Sequence, residues 1–468
     1  MKFWLYFVFL CYICIKIYAF YCLFSRLAGK TNLLILIKKM NINLLYDIFL
    51  KHPVVTTDSR DCPENSIFFA LKGETFDGNQ YADSALEKGC AYAVVDEPQY
   101  AKEDDQRFIL VEDVLTTLQQ LANCHRKHWG KTIVGVTGTN GKTTTKELIA
   151  TVLSKKYNIL YTQGNFNNHI GVPKTLLQLK PEHQMAVIEM GANHPGEIKT
   201  LVNIVEPNYG IITNVGKAHL LGFGSFEGVI RTKGELYDFI REHDGKVFIN
   251  NDNEHLNKIV GAIPTIAYGQ TDSQNLSVKG EFMECNPYLR FKWNGNEVQT
   301  NLIGAYNIDN ALAAATIGKY FEVDDADITD AIENYVPSNN RSQLKKTDDN
   351  ALIIDAYNAN PTSMAAALNN FNIMKAEHKM CILGNMGELG DVSQEEHQKI
   401  VEILRTMNLE RVWLVGEEFK KVECPSQFRL FSNVQEVKEA LQQNKPKNMT
   451  ILLKGSNSTR MFELPQLL

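Results

Sequence analysis

The chain has 468 residues, more than one hydrophobic core of about 250 to 300 residues sustains, so several domains are expected. Hydrophobic residues make up 44% and charged residues 22%, near the globular average, which argues against a disordered or fibrous chain. A formal net charge of -6 offers no basic field for a nucleic-acid backbone and argues against nucleic acid as a partner.

Residues 3–24 are almost wholly apolar and aromatic, broken by Lys16, a length that just crosses a bilayer of about 30 Å. No short apolar core followed by a small-residue cleavage site marks a signal peptide. Two readings of residues 1–39 stand side by side: a membrane anchor, or sequence upstream of a true start at Met40. Cys11 and Cys14 fall in this run. So does Cys22, and the other six cysteines, Cys62, Cys90, Cys124, Cys285, Cys381 and Cys424, are scattered, which fits neither a zinc site nor a disulfide framework and points to a reducing cytoplasm.

Residues 40–127 alternate short β runs, 66–71 and 91–95, with a helical stretch at 81–88, a small α/β unit. Residues 128–336 place buried strands at 133–136, 186–190 and 210–214 between helical segments, the pattern of a mostly parallel sheet covered by helices. Within that block, 288–293 and 298–302 flank Asn294-Gly295, a strong hairpin signal that predicts a local antiparallel excursion. Residues 337–468 alternate strands at 352–355, 380–383, 412–415 and 451–453 with helices, a smaller Rossmann-like α/β domain. The fold class is therefore α/β, in three domains.

The segment from Ile133 to Glu147 reads as strand, glycine loop and helix, with Leu148, Ile149, Val152 and Leu153 as the apolar stripe. Inward backbone N–H groups, a helix N-terminus and the point charge of Lys142 make a phosphate cradle, and Thr143 can put its hydroxyl on Mg2+. The general phosphate-loop spacing asks for glycine where Val136 stands; the loop here is the tighter Gly138-Thr139-Asn140-Gly141-Lys142-Thr143-Thr144. Glu189 follows the next core strand, where parallel sheets place ligands. His219 follows another, in Thr213-Asn-Val-Gly-Lys-Ala-His219, and a neutral imidazole ligates metal.

This tighter loop resembles that of the Mur ligase and folylpolyglutamate synthetase superfamily, whose members couple ATP cleavage to amide formation. The resemblance implies ATP with two Mg2+ ions. It assigns the metal to Thr143, Glu189 and His219, and catalysis to Lys142, Glu189, His219 and Lys233. Lys233 stands where several members carry a carbamylated lysine, an anion able to ligate metal; the plain alternative is an exposed helical lysine. Asn165-Phe166-Asn167-Asn168 resembles the family's substrate-facing loop. Asn307 and Asn310, opening an alanine-rich helix, are implied to lie near the adenine, although Asn307 also suits an N-cap. Arg341 and Asp355 belong in the family to a domain that swings onto the ATP site, with Asn358 and Asn360 on the substrate side. Arg bridges phosphate oxygens, Asp accepts from ribose hydroxyls or an ammonium, and closure excludes water. The loop from Gly384 to Gly390 also matches.

In the first block, Thr57-Asp58-Ser59-Arg60 and the run from Phe68 to Asn79 resemble the UDP-muramoyl-peptide domain of the last two Mur ligases. Ser59, Arg60, Lys72, Gly73, Asp77 and Gly78 are the implied substrate residues, and Asp58-Ser59 reads equally as a turn. The stretch from Asp355 to Pro361 and the Gly387–Gly390 loop are similar to the branch that adds D-alanyl-D-alanine to UDP-N-acetylmuramoyl-tripeptide in peptidoglycan precursor synthesis. No Asp-Asn-Pro-Arg of the third-residue ligase is found. One departure is Lys454-Gly-Ser-Asn457, where members often have Arg after the Ser. The resemblance implies a cytoplasmic monomer, touching membrane only through residues 1–39. The rivals are the third-residue ligase, a folylpolyglutamate synthetase-like ligase, and a nucleotide switch whose ATP turnover needs no amine.

Overall fold

The computed structural model describes residues 41–102, 104–337 and 341–468; the apolar segment read as an anchor or upstream sequence lies outside them. Among the described residues no helix is long and apolar enough to cross a membrane. Two compact units divide the chain at Cys124 and His125.

The first unit carries four strands, β1 (Val55–Thr56), β2 (Ile67–Phe69), β3 (Tyr92–Val95) and β4 (Phe108–Leu110), paired in that order and all parallel. Phe68, Ala70, Ala82, Ala85, Leu86, Cys90, Ala93 and Val95 form a core between strands and helix Ala82–Glu87. Small alanines on the helix let it lie close to the sheet. The two β runs expected here are present, shortened at their ends.

The second unit contains two sheets. The larger has strands β5 (Thr132–Thr137), β6 (Ile159–Tyr161), β7 (Met185–Glu189), β8 (Tyr209–Ile212), β9 (Lys246–Asn250), β10 (Thr265–Gly269), β11 (Leu276–Cys285), β12 (Tyr288–Trp293) and β13 (Asn296–Ile303). They are ordered β13-β12-β11-β10-β9-β8-β5-β7-β6. Pairing is parallel from β6 to β11 and antiparallel in β11–β12–β13. Asn294 and Gly295 both have positive φ, 45° and 89°, as the expected hairpin turn requires. Strands covered on both faces by helices read as unbroken Val and Ile runs, which is why β5, β7 and β8 are evident from sequence.

The register of β5 fixes the chemistry. Val136 pairs with Glu189 on one side and Thr137 with Ile212 on the other, so the glycine loop, Glu189 and the segment from Thr213 leave adjacent strands at the same sheet edge. That edge is where open parallel sheets bind ligands. Helices Lys142–Leu153 and Asn307–Tyr320 pack together beneath it, the latter through buried Ala311, Ala313, Ala314 and Ala315.

The smaller sheet has β14 (Gln343–Lys346), β15 (Asn350–Asp355), β16 (Lys379–Gly384), β17 (Arg411–Val415), β18 (Arg429–Phe431) and β19 (Met449–Lys454), ordered β14-β15-β19-β16-β17-β18. Only the edge strand β14 is antiparallel. The four strands expected in this block are its centre. The edges β14 and β18, exposed or half-buried at every residue but Phe431, lack the apolar run that marks a covered strand.

Candidate active site

The glycine loop is held in shape by its neighbour in the sheet. Thr139 N donates to Asn214 O at 2.9 Å and Asn140 N to Asn214 Oδ1 at 3.0 Å. In return, Thr213 Oγ1 and Asn214 Nδ2 donate to Asn140 O at 2.7 and 2.9 Å. Gly138 sits at φ 143°, and a Cβ there would lie 2.0 Å from Thr213 Oγ1, so backbone conformation and space both require glycine.

Lys142 opens the helix and turns its ammonium back onto the loop, donating to Gly138 O at 2.8 Å and Thr139 O at 3.0 Å. Burial lowers it to about 8, against the carboxylate of Glu189 and together with the guanidinium of Arg341. Thr143 Oγ1 donates to Glu189 Oε1 at 3.2 Å, and Asn167 Nδ2 to the same oxygen at 2.8 Å. Glu189 Oε2 is buried without a partner. A carboxylate oxygen left bare in a protein interior is costly unless a cation meets it, so Thr143 and Glu189 fit Mg2+. Among the described residues no cluster of three or more His, Cys, Asp or Glu could hold a metal.

His219 has φ 50° and presents Nδ1 to the carboxylate of Glu388 from the third block. Burial lowers its pKa, Glu388 opposes, and Lys142 and Lys233 add to the lowering. Lys233 is 2% exposed, inside helix Phe226–Glu242, with Nζ donating to Ala192 O at 3.1 Å. The exposed-lysine alternative is thereby corrected: the buried face of the helix carries Lys233 inward. Burial pulls its pKa well down, helped by Lys142 and opposed by Glu197 and Glu235.

Asn307 is not the N-cap. It is the first helical residue, and its Nδ2 donates to Ile303 O at 2.8 Å rather than its oxygen capping a backbone N–H of the helix. Asn310 Nδ2 donates to Asn307 Oδ1 and Thr145 Oγ1 to Asn310 Oδ1, at 2.8 and 2.9 Å. This buried chain ends against the glycine loop, since a Cβ on Gly141 would lie 2.6 Å from Asn310 Oδ1. Thr144, on the first turn of the loop's helix, is half-buried.

From the third block, Arg341 stacks on Tyr357 at 3.7 Å and has a buried Nε without a partner. Asp355 accepts from the buried Lys454 at 2.5 Å, and Lys454 also reaches Asn358 O at 3.3 Å. Asn358 Oδ1 accepts from Ala359 N at 2.8 Å. Asn360 caps helix Pro361–Ile373 in a capping box with Ser363 and donates Nδ2 to Asn140 Oδ1 at 2.8 Å. Lys142, Glu189, Thr143, Asn140 and Asn360 are thus brought together. Sequence reasoning assigned no role to Asn214, Glu388 and Lys454; the departure it noted falls at Asn457, three residues beyond the buried Lys454 that pairs with Asp355.

In the first unit, Arg60 forks onto Asp58 Oδ1 and Oδ2 at 2.9 and 2.7 Å with its side chain 87% exposed. Asp58 Oδ1 also accepts from Arg60 N, so the turn reading and a displayed guanidinium both hold. Ser59 O accepts from Lys88 Nζ at 2.7 Å. Lys72 pairs with Asp96 and Glu97 at 2.9 and 2.8 Å. Asp77 caps the short helix from Gly78 and receives Asn79 N at 2.9 Å. Gly73 N donates to Phe76 O at 2.9 Å, and a Cβ on Gly78 would lie 2.4 Å from Leu71 O.

Three family matches tile this arrangement: the Mur ligase family catalytic domain over residues 53–126, the Mur ligase middle domain over 136–318, and the Mur ligase glutamate ligase domain over 340–457. The chain is 32% identical over 446 residues to the UDP-N-acetylmuramoyl-tripeptide--D-alanyl-D-alanine ligase of Bacillus subtilis, covering 92% of this chain and 96% of that one. A crystal structure of MurF from Acinetobacter baumannii superposes with a TM-score of 0.79 at 30% identity, covering 88% of this chain and 92% of the other. MurF from Thermotoga maritima, solved with ADP, shares the fold with a TM-score of 0.79 at 24% identity, covering 89% of this chain and 97% of that one. With these three matches in chain order and a relative 32% identical over 92% of this chain, the chain belongs to the Mur ligase family.

Proposed function

We propose that the chain is an ATP-dependent ligase that joins D-alanyl-D-alanine to UDP-N-acetylmuramoyl-tripeptide through an acyl phosphate, the activity named for its Bacillus subtilis relative. The observation that carries this reading is the partnerless Glu189 Oε2 beside Thr143, set at the mouth of a loop that the third block also grips through Asn360.

The tripeptide carboxylate attacks the γ-phosphorus of ATP; an O–P bond forms and the β–γ bridge breaks, releasing ADP. Lys142 offers its ammonium to the transferring phosphoryl group, exchanging loop carbonyls for phosphate oxygens. Thr143 and Glu189 would hold Mg2+, which would supply further positive charge, and His219 and a carbamate formed on Lys233 would lie on the same side. The amine of the dipeptide then attacks the acyl carbonyl, phosphate leaves, and an amide remains. Arg341 and Asp355 turn towards the nucleotide, and Asn358 and Asn360 serve the acceptor side, where contacts such as Asn140 to Asn360 keep water from hydrolysing the acyl phosphate.

The roles divide by block. Residues 40–127 take the UDP-linked peptide, and the exposed guanidinium of Arg60 meets a diphosphate at little desolvation cost. Residues 128–336 hold ATP, with Asn307 and Asn310 on the base side. Residues 337–468 present the dipeptide. The enzyme works as a cytoplasmic monomer, tethered to membrane only if residues 1–39 are retained.

The test is phosphate release by purified protein given ATP, Mg2+, UDP-N-acetylmuramoyl-tripeptide and one amine at a time. Release that requires D-alanyl-D-alanine supports the reading. Release on a dipeptide precursor with a diamino acid would move the chain to the third-residue step, and turnover without any amine would make it a nucleotide switch.

A further inference from the structure

The segment from Thr213 to Leu221 touches two things at once. Towards the nucleotide it braces the glycine loop, with Gly216 N donating to Thr139 Oγ1 at 3.0 Å besides the Thr213 and Asn214 bonds to Asn140. Towards the third block, Lys217 N donates to Thr362 Oγ1 at 3.2 Å and Lys217 Nζ to Glu396 Oε1 at 2.8 Å. Leu221 N donates to Glu388 O at 3.0 Å a little further on.

The Lys217–Glu396 contact is unlike the exposed ion pairs elsewhere on the surface. The Glu396 side chain is 7% exposed while that of Lys217 is 47% exposed, so a buried carboxylate of the acceptor-side block depends on a cation reaching across from the nucleotide side. Burial pushes the Glu396 carboxyl up, but Lys217 and Lys399 outweigh it and hold it below its ordinary value. Lys399 comes from the same helix, Ser393–Thr406, at 3.0 Å, and stays with Glu396 whatever the two sheets do. Lys217 alone couples that charge to the glycine loop, three bonded residues from Asn214.

We propose that Lys217 is a positioning residue: its ion pair with Glu396 latches the acceptor block onto the nucleotide loop, so that the amine is presented only to a loop in its phosphate-binding shape. Removing the cation leaves Glu396 buried with one partner, which favours separation of the two sheets over the joined state. Lys217 touches no reacting atom; its effect passes through the backbone of Gly216 and the helix carrying Glu396. The inference rests on the ligase reading for its kinetic test, but the latch itself has a readout free of it.

The experiment is a charge swap. Lys217→Glu and Glu396→Lys singly should raise KM for D-alanyl-D-alanine by about tenfold, the size of a coupled charge pair, with affinity for ADP unchanged. Lys217→Arg, which keeps the cation, should retain parent kinetics, and the double swap Lys217→Glu with Glu396→Lys should recover most of the loss. Small-angle scattering should show the single variants more extended than the parent and the double variant compact again. Singles that match the parent, or a double variant no better than the worse single in both KM and compactness, overturn the latch. A parent that ligates no D-alanyl-D-alanine yet shows the scattering pattern would instead count against the ligase reading alone.

Discussion

Thr143 and Glu189 stand on neighbouring elements of one sheet edge, joined by a 3.2 Å hydrogen bond from Thr143 Oγ1 to Glu189 Oε1, while Glu189 Oε2 is buried and bonded to nothing. A buried carboxylate oxygen without a partner is costly unless a cation meets it, and the hydroxyl of Thr143 stands beside it.

Replacing Glu189 by Gln keeps an acceptor for Thr143 and Asn167 but removes the charge. Ligation should fall by about 10²- to 10³-fold, the usual cost of losing one electrostatic stabiliser, and the Mg2+ concentration needed for half-maximal rate should rise. The melting temperature without ligands should not fall, because the substitution removes the desolvation cost of a buried oxygen that has no partner in the empty fold. A rate and Mg2+ dependence equal to the parent's would remove Glu189 from the metal site.

Gly138→Ala tests the loop itself. At φ 143° with Thr213 Oγ1 only 2.0 Å from the new Cβ, the variant must shift β5's exit or Thr213, at a cost of about 2 to 3 kcal/mol from strain. Chemical denaturation should report that loss, and ADP affinity should fall with it, since Thr213 also fixes Asn140. An alanine variant as stable as the parent would mean that the loop is free to relax.

Much of this site is legible in the sequence because its parts are local. β5, the glycines, Lys142 and the helix stripe occupy one continuous stretch, and Glu189 closes a strand whose other four residues, MAVI, are all apolar and buried. The contacts that join the two sheets of the second unit are not local. His219 meets Glu388 and Lys217 meets Glu396 across more than 150 residues of chain, and nothing in either segment names its partner. Asn307 shows a different limit: its residue type suits a cap, but only the fold reveals that Tyr306 holds that position and that the amide turns back to Ile303. Likewise an isolated lysine such as Lys233 reads as exposed until the helix's buried face is known.

The ammonium of Lys142, held at about 8 by burial, makes nucleotide binding pH-dependent with a definite sign. Its pKa is depressed in the empty fold, so the unfolded chain binds more protons between about 8 and the ordinary lysine value, and this group's contribution to stability rises with pH across that window. Phosphate oxygens favour the charged form, so ATP binding pulls the pKa back up and takes up a proton near pH 8. Calorimetry in two buffers of contrasting ionisation enthalpy should detect that uptake, and affinity should weaken as pH climbs above it. Lys142→Met should abolish the uptake and reduce ligation by about 10³-fold. Binding with no proton linkage would show that Lys142 stays charged in the empty loop.

Lys233 is the other depressed lysine, 2% exposed with one carbonyl partner, Ala192 O. Burial, with Lys142 adding its repulsion, favours the neutral amine, and a neutral amine is the form that attacks CO2: the N–C bond forms, a proton leaves, and a carbamate anion results. The product reverses the local electrostatics, since an anion beside Lys142 is attracted where the ammonium was repelled, so the modified state should be favoured once metal and nucleotide are present. Native mass spectrometry in bicarbonate with ATP and Mg2+ should show the mass of one added CO2, absent in Lys233→Ala, whose rate should drop by about 10²-fold. Carbon-13 NMR under labelled CO2 should give a carbamate signal that fades on acidification, as protonation of the amine drives the reverse step. A saturated bicarbonate sample with neither adduct nor signal would leave Lys233 as a buried, neutral hydrogen-bond donor to Ala192 and assign the missing negative charge to phosphate alone.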